Sequence, residues 1–284
     1  MTLQTYDSWN FELPVVPLRS RLYHLEPIGI GTPYVESLTS YICRLALAHC
    51  VLASALMRYE ILPLSIRRAR NSSDVTRYPS VEFAVKINDK GVIASGYVER
   101  LQTLTLKTNL LPLTMLIWRG EPLRDNITKY MRAWCPECYQ QWLQSEQSIY
   151  EPLLWSLAAV TVCPYHRKRL QSRCPHCGQQ QRLIEAKMRP GYCAKCQQWL
   201  GCLSHDELNV QEALIELELE WHIWVTQRIG EVLAAAPSKP SLAIKKKIAE
   251  VLRIEEKPYS LDPRNKLLRR LQFKVLFMFA YFSQ

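Results

Sequence analysis

The sequence predicts a mostly α-helical protein in three parts: an arm and helical domain over residues 1–128, a cysteine-rich module with short β-ribbons over 129–203, and a second helical domain over 204–284. Three observations carry that reading. Apolar residues recur at three- and four-residue spacing in the outer parts, four Cys/His pairs with two-residue gaps crowd into the middle, and charge is segregated along the chain.

Residues 13–17, Leu-Pro-Val-Val-Pro, make a proline-rich arm, and the alternating stretch Leu18 to Leu25 reads as a short strand or an extended docking segment. Thr32 fits an N-cap with Pro33 at the first helical position, after which Leu38, Ile42, Leu45 and His49 share a face. Residues 51–68 and 97–116 also read as helical, separated by a polar segment around Asn71 to Tyr78 and a turn at Asn88-Asp89-Lys90-Gly91. Several short helices in a basic protein allow a helix-turn-helix, which periodicity alone does not identify.

In the last part Ser204-His205-Asp206-Glu207 fits a capping box. It opens a helix with Val210, Leu214, Leu217, Trp221, Trp224 and Leu233 on one side and Glu212, Glu216, Glu218 and Glu220 on the other, closed by Ala234-Ala235-Ala236-Pro237. Lys245-Lys246-Lys247 begins a further helical stretch, and residues 267–282 hold four of the six phenylalanines. That apolar end needs a cover, from the chain's own core, a second copy or a partner.

With 284 residues and 48% hydrophobic content the chain can bury a sizeable core, so it is not a disordered basic tail. Its net charge of +10 suggests a polyanionic partner. The middle holds ten Lys/Arg against four Asp/Glu and residues 239–284 eleven against four, while residues 201–238 between them hold one against seven. Residues 1–22 lack a basic stretch followed by an apolar one, so no secretory signal is expected and reduced cysteines are the default. No apolar run reaches the roughly 20 residues of a bilayer span, so no membrane partner is expected.

The strongest chemical signal is in the cysteines. Cys135-Pro-Glu-Cys138, Cys163-Pro-Tyr-His166, Cys174-Pro-His-Cys177 and Cys193-Ala-Lys-Cys196 fall within 62 residues. A two-residue gap lets both side chains reach one ion from a tight turn, and two such turns supply the four ligands tetrahedral Zn²⁺ prefers. The middle therefore reads as a double zinc-binding module with two structural Zn²⁺. The favoured partition is sequential, a Cys₃His site from Cys135, Cys138, Cys163 and His166 and a Cys₄ site from Cys174, Cys177, Cys193 and Cys196. Cross-braced pairing stays open, and disulfides are the bland alternative. Both quartets are complete, which leaves no open position for water or substrate and disfavours a catalytic metal. Cys43 and Cys50 read as buried apolar residues and Cys202 as a spare; His24, His49, His205 and His222 show no partner spacing, and His176 reads as a surface residue or a neighbour of the ligands.

No glycine-lysine phosphate loop, HExxH, nucleophile elbow or dinucleotide fingerprint occurs, and the six aspartates are scattered. A non-enzyme is therefore expected.

The string Arg132-Ala133-Trp134-Cys135-Pro136-Glu137-Cys138, the stretch Glu151 to His166 with its Val160-Thr161-Val162-Cys163-Pro164-Tyr165-His166 end, and Cys174-Pro175-His176-Cys177-Gly178 together resemble the TniQ/TnsD family of transposition target-selection proteins. Residues Glu36 to Ala46 look like that family's opening helix. The resemblance implies a non-catalytic adaptor that links a target-recognition element to an AAA+ ATPase regulator of the TnsC kind. Long TnsD-type members read a DNA site themselves; shorter TniQ-type members dock on an RNA-guided CRISPR effector such as Cascade, in some systems as a homodimer. The chain's length favours the TniQ type, with the sequence-specific DNA-binding selector as the alternative. The departure at Cys196-Gln197, where the family often has Cys-Gly, leaves the metal reading intact. An ATPase-contacting arm is expected near residues 13–31. Arg167, Lys168, Arg169, Lys245, Lys246 and Lys247 are the candidate phosphate contacts, and the expected setting is the bacterial cytoplasm, at the nucleoid during transposition.

Overall fold

The computed structural model describes residues 19–62, 81–119, 127–201 and 216–235. Its elements are α1 (Leu38–Ala48), α2 (Ala53–Leu56) continuing into a wider π turn over Met57–Ile61, α3 (Val81–Lys86), α4 (Val92–Thr105), 3₁₀ turns at Leu111–Leu113 and Met115–Trp118, α5 (Pro136–Gln144), α6 (Leu153–Ser156), the strands β1 (Val162–Cys163) and β2 (Lys168–Arg169), and α7 (Glu216–Ala235). The described residues are mostly helical with a short two-stranded antiparallel sheet, the fold class the sequence predicts.

The first helix starts later than the Thr32-Pro33 signal suggests. Gly29 and Gly31 take φ of +69° and +79°, and Thr32 spends its hydroxyl on the Gly29 carbonyl at 2.7 Å, closing a turn in place of a cap. Glu36 then pairs with Pro152 as an isolated bridge, which keeps the chain extended up to Ser37. Ser37 is the real N-cap, its Oγ accepting from the Ser40 amide at 3.2 Å.

At the other end of α1 the chain turns through His49 to Leu52, and the two helical arms meet at 102°. That angle and turn length lie in the range of helix-turn-helix pairs. Cys50 occupies this turn at φ +54° and is exposed, not buried as its spacing suggests, because the turn carries it out of the face that Cys43 shares. Helix α4 opens at Val92, directly after the Asn88 to Gly91 turn, and stops at Thr105, where Leu106 adopts φ +56°. The helical reading of residues 106–116 therefore gives way to 3₁₀ turns, in keeping with Pro112, which has no amide hydrogen to donate. The Leu18 to Leu25 segment, described from residue 19, is irregular: it bends at Arg21 and Leu22, the Leu25 amide turns back onto Tyr23 O at 2.8 Å, and the segment meets the end of α4, where the Leu22 amide donates to Leu104 O at 2.8 Å.

One apolar core runs through these pieces. It joins Leu38, Ile42 and Leu45 of α1 and Leu101 of α4 to Leu153, Leu154 and Val160 of the cysteine-rich part and to Val225, Ile229 and Leu233 of α7. On α7 the buried residues are Ile223, Val225, Thr226, Ile229, Gly230, Val232 and Leu233, so the helix is rotated from the face its tryptophans suggest; Trp221 and Trp224 stack on each other at 5.2 Å, half-buried. Gly230 brings α7 onto Pro33. No single described helix is long and apolar enough to cross a membrane. The proline-rich arm, Asn71 to Tyr78, Cys202, the capping box, Val210, Leu214, Lys245 to Lys247 and the phenylalanine-rich end lie outside the described residues.

Candidate metal centres

Each ligand pair is set by a local backbone device. Cys135 is the residue before α5 and Pro136 its first helical residue, so Cys138 projects from the first turn beside Cys135. Cys163 ends β1, and the register Cys163↔Lys168 folds the chain back so that His166 returns toward it. Pro136, Pro164 and Pro175 each follow a cysteine and fix φ inside the turn.

The other two pairs are hairpin knuckles framed by the bridges Arg173↔Gln180 and Tyr192↔Trp199. In each, the amide after the second ligand returns to the first ligand's carbonyl, Gly178 to Cys174 at 2.9 Å and Gln197 to Cys193 at 3.0 Å. The amides of His176 and Lys195 point at Cys174 Sγ and Cys193 Sγ, both at 3.4 Å, and so favour thiolates there.

In three of the four turns the residue after the second ligand is left-handed: Arg167, Gly178 and Gln197 have φ of +53°, +68° and +60°. Only Gly178 meets that demand without strain. Gln197 offsets the cost by donating its side-chain amide to the carbonyls of Cys193 and Ala194, both at 3.0 Å.

The side chains gather in the sequential partition. Cys135, Cys138, Cys163 and His166 bring one ligand atom each to within 4.8 Å of the others, and so do Cys174, Cys177, Cys193 and Cys196. His166 presents Nδ1, at 3.4, 3.3 and 3.6 Å from the sulfurs of Cys135, Cys138 and Cys163. Sulfur pairs stand at 3.6 Å for Cys138 and Cys163, 3.7 Å for Cys174 and Cys196, and 3.8 Å for Cys177 and Cys193. A tetrahedral ion with Zn–S of about 2.3 Å and Zn–N of about 2.0–2.1 Å needs S···S edges near 3.8 Å and S···N edges near 3.6 Å. The donor set and its spacing therefore fit zinc, and both quartets could hold a metal ion. Hydrogen bonds from Cys135 and Cys138 hold the Cys163 thiol below the usual thiol range.

Both quartets sit in one apolar cluster, which includes Trp134, Cys135, Cys138, Tyr139, Trp155, Cys163, Cys174, Cys193 and Leu200. Tyr139 touches Trp142, Trp155 and Trp199, and Trp142 stacks on Tyr150 at 4.8 Å. Arg132 is fully buried at the centre of this cluster beside Glu151, at 2.5 Å. Burial pushes the Glu151 carboxyl up, while Glu151 and Tyr139 hold the desolvated Arg132 guanidinium charged. Glu151 also reaches the helical part, its amide donating to Ser40 Oγ at 2.9 Å and its carbonyl accepting from the Ser37 amide at 2.9 Å.

The candidate phosphate contacts are differently placed. Arg167 pairs with Glu220 on α7 and Lys168 with Glu137 on α5, so both charges are shared with the protein's own carboxylates. Glu220 is thereby more than part of a solvated acidic face. Arg169 lines a shallow groove of about 500 Å³ with Lys129, Tyr130, Thr161, Leu170 and Ser172. Burial lowers the Lys129 ammonium to about 7, and it donates to the carbonyls of Trp155 and Val160. Lys129, Arg132 and Glu151 have no periodicity or spacing signal; proximity to Trp134-Cys135 was the one cue the chain offered for Arg132. His176, exposed, meets the Trp199 carbonyl through Nε2 at 3.0 Å, and His222 meets Thr161 Oγ1 at 3.1 Å.

A model of the TniQ family matches residues 27–170, half of the chain. The chain belongs to the TniQ family. The match takes in α1, the first quartet and both strands, and ends at Leu170 before Cys174 and α7. No curated protein matches the chain. Membership makes it a transposition-associated protein of a family of non-catalytic factors that work with other transposition proteins and DNA.

Proposed function

We propose that this chain is a non-catalytic adaptor of target-site selection, linking a target-recognition complex, an RNA-guided CRISPR effector of the Cascade kind, to a TnsC-like AAA+ regulator on DNA. The observation that carries the reading is the family match over the helical part and first quartet. The geometry supports it: two complete ligand sets in an apolar core suit a strut, not a reaction centre. In this reading Cys135, Cys138, Cys163 and His166 hold one structural Zn²⁺ and Cys174, Cys177, Cys193 and Cys196 a second. The module over 129–203 sets the angle between the parts 1–128 and 204–284. Stacking of Tyr165 on Tyr34 at 4.8 Å supports that role, since it joins the Cys163 turn to the loop before α1.

Phosphate attraction would come from Arg169, with Arg167, Lys168 and Lys245 to Lys247 as further donors. The test is co-purification of the tagged chain with the AAA+ regulator and the CRISPR effector of its own transposon. Capture of both supports the adaptor; capture of neither overturns it. The alternative, a TnsD-type DNA-binding selector, draws on the 102° pair of α1 and α2. It requires about 10³-fold or greater preference for one duplex site over random DNA at physiological salt, and competition binding without such preference would exclude it.

A further inference from the structure

We infer that Arg132 couples the two metal sites, so that zinc is taken up and lost as a pair. Resting as it does on the zinc reading above, the inference concerns how the two ions depend on each other.

Arg132 lies three residues before Cys135 and has no exposed surface. Its guanidinium spends four N–H groups on both halves of the module. Toward the first quartet, Nη2 donates to the Tyr139 hydroxyl at 3.2 Å and sits 2.5 Å from Glu151 Oε1. Tyr139 is the residue after Cys138, and its hydroxyl also donates to Glu151 at 3.3 Å. Toward the second quartet, Nη1 donates to the Tyr192 carbonyl at 2.8 Å and to Gln181 Oε1 at 2.9 Å. Gln181 Oε1 accepts in addition from the Ala194 amide at 2.8 Å. One side chain thus holds Tyr192 directly and Ala194 through Gln181, on either side of Cys193, and also grips the neighbour of Cys138.

The physical consequence follows from burial. A planar group with fixed donor directions cannot follow one half of the module while keeping the other, and a side chain with no exposed surface is cut off from the solvent that would replace a lost partner. If the Cys193 turn opens when its ion leaves, Arg132 loses two acceptors and remains charged among Trp134, Tyr139 and Trp155. The first site then tolerates the loss of its own ion more easily. The reverse holds for the first quartet, because coupling of this kind is reciprocal. Arg132 is a positioning residue, since it touches no ligand atom.

The experiment is a stepwise chelator titration of the full-length chain followed by native mass spectrometry, with total zinc measured first. Fewer than two zinc ions per chain at the outset would overturn the zinc reading itself. Given two, the wild-type chain is expected to pass from the two-zinc to the zinc-free form with little one-zinc species. For equal sites and about tenfold coupling, the one-zinc share at half removal falls from about one half to about one quarter. Arg132→Lys keeps the charge beside Glu151 but not the fork, and Gln181→Met removes the oxygen that accepts from both Arg132 and the Ala194 amide while leaving the contacts to Tyr192, Tyr139 and Glu151 in place. Each is expected to raise the one-zinc share about twofold. An equal share in wild type and in whichever variant folds would overturn the coupling, because a purely structural loss would lower stability without redistributing the partly loaded form.

Discussion

Glu36 carries a carboxyl with no exposed side-chain surface at the start of α1, held by Arg44 at 2.6 Å, the Ser40 hydroxyl at 2.9 Å and the Ile28 amide at 3.3 Å. Burial outweighs those partners and raises it from 4.5 to about 7. The folded chain therefore binds a proton between those values that the unfolded chain has released. The contribution of this proton is complete below about pH 4.5 and is lost as pH rises through about 7, with a slope no steeper than about 1.4 kcal/mol per pH unit. Melting wild type and Glu36→Gln side by side from about pH 5 to about pH 7 isolates it, because the metal sites are common to both. Wild type is expected to lose ground to the variant as pH rises, and a constant gap would show that Glu36 is ionised throughout. At this scale the eight Cys and His residues were legible in the sequence, since a two-residue gap is a local property of the chain. Glu36, Lys129, Arg132 and Glu151 were not, since each owes its character to residues distant in the chain that exclude water around it.

Among the elements, α7 shows how packing can oppose local preference. Gly230 lies inside the helix, where alanine would normally stabilise by about 1 kcal/mol. A Cβ there would stand 2.8 Å from Pro33 Cβ, a ring that has no rotamer to escape into. Overpacking of this kind costs about 1–3 kcal/mol, so the clash wins. Gly230→Ala is expected to lower the thermal midpoint despite its better helix propensity, and a rise would mean that α7 does not seat on Pro33. The start of α1 teaches the same lesson. Thr32-Pro33 is a sound N-terminal signal, but the bridge from Glu36 to Pro152 outcompetes it. Spacing that closes within one turn was readable, whereas helix ends set by contact with another part of the chain were not.

For the whole molecule, the two quartets and the helical parts share their supports. Glu151 reaches α1 and Arg132 at once, and the main core takes residues from every described stretch. A structural zinc contributes on the order of 10 kcal/mol of apparent binding free energy, so metal removal should not be a local event. Prolonged chelation is expected to open residues 129–200 to protease first and to lower the melting temperature of the remainder, readable by mapping the cleavage sites. A chain that kept its protease resistance without metal would contradict a structural role for the ions. The mostly helical class, the four chelating turns, the basic middle and the family resemblance were all present in the linear order of residues, because each rests on composition or on spacing of a few positions. Which Cys and His side chains meet, which of the basic side chains are taken up by Glu137 and Glu220, and that one buried arginine stands between the two quartets emerged only on folding. Those features are contacts between distant residues in a dry interior, and there the cost of an unpaired charge selects the partners.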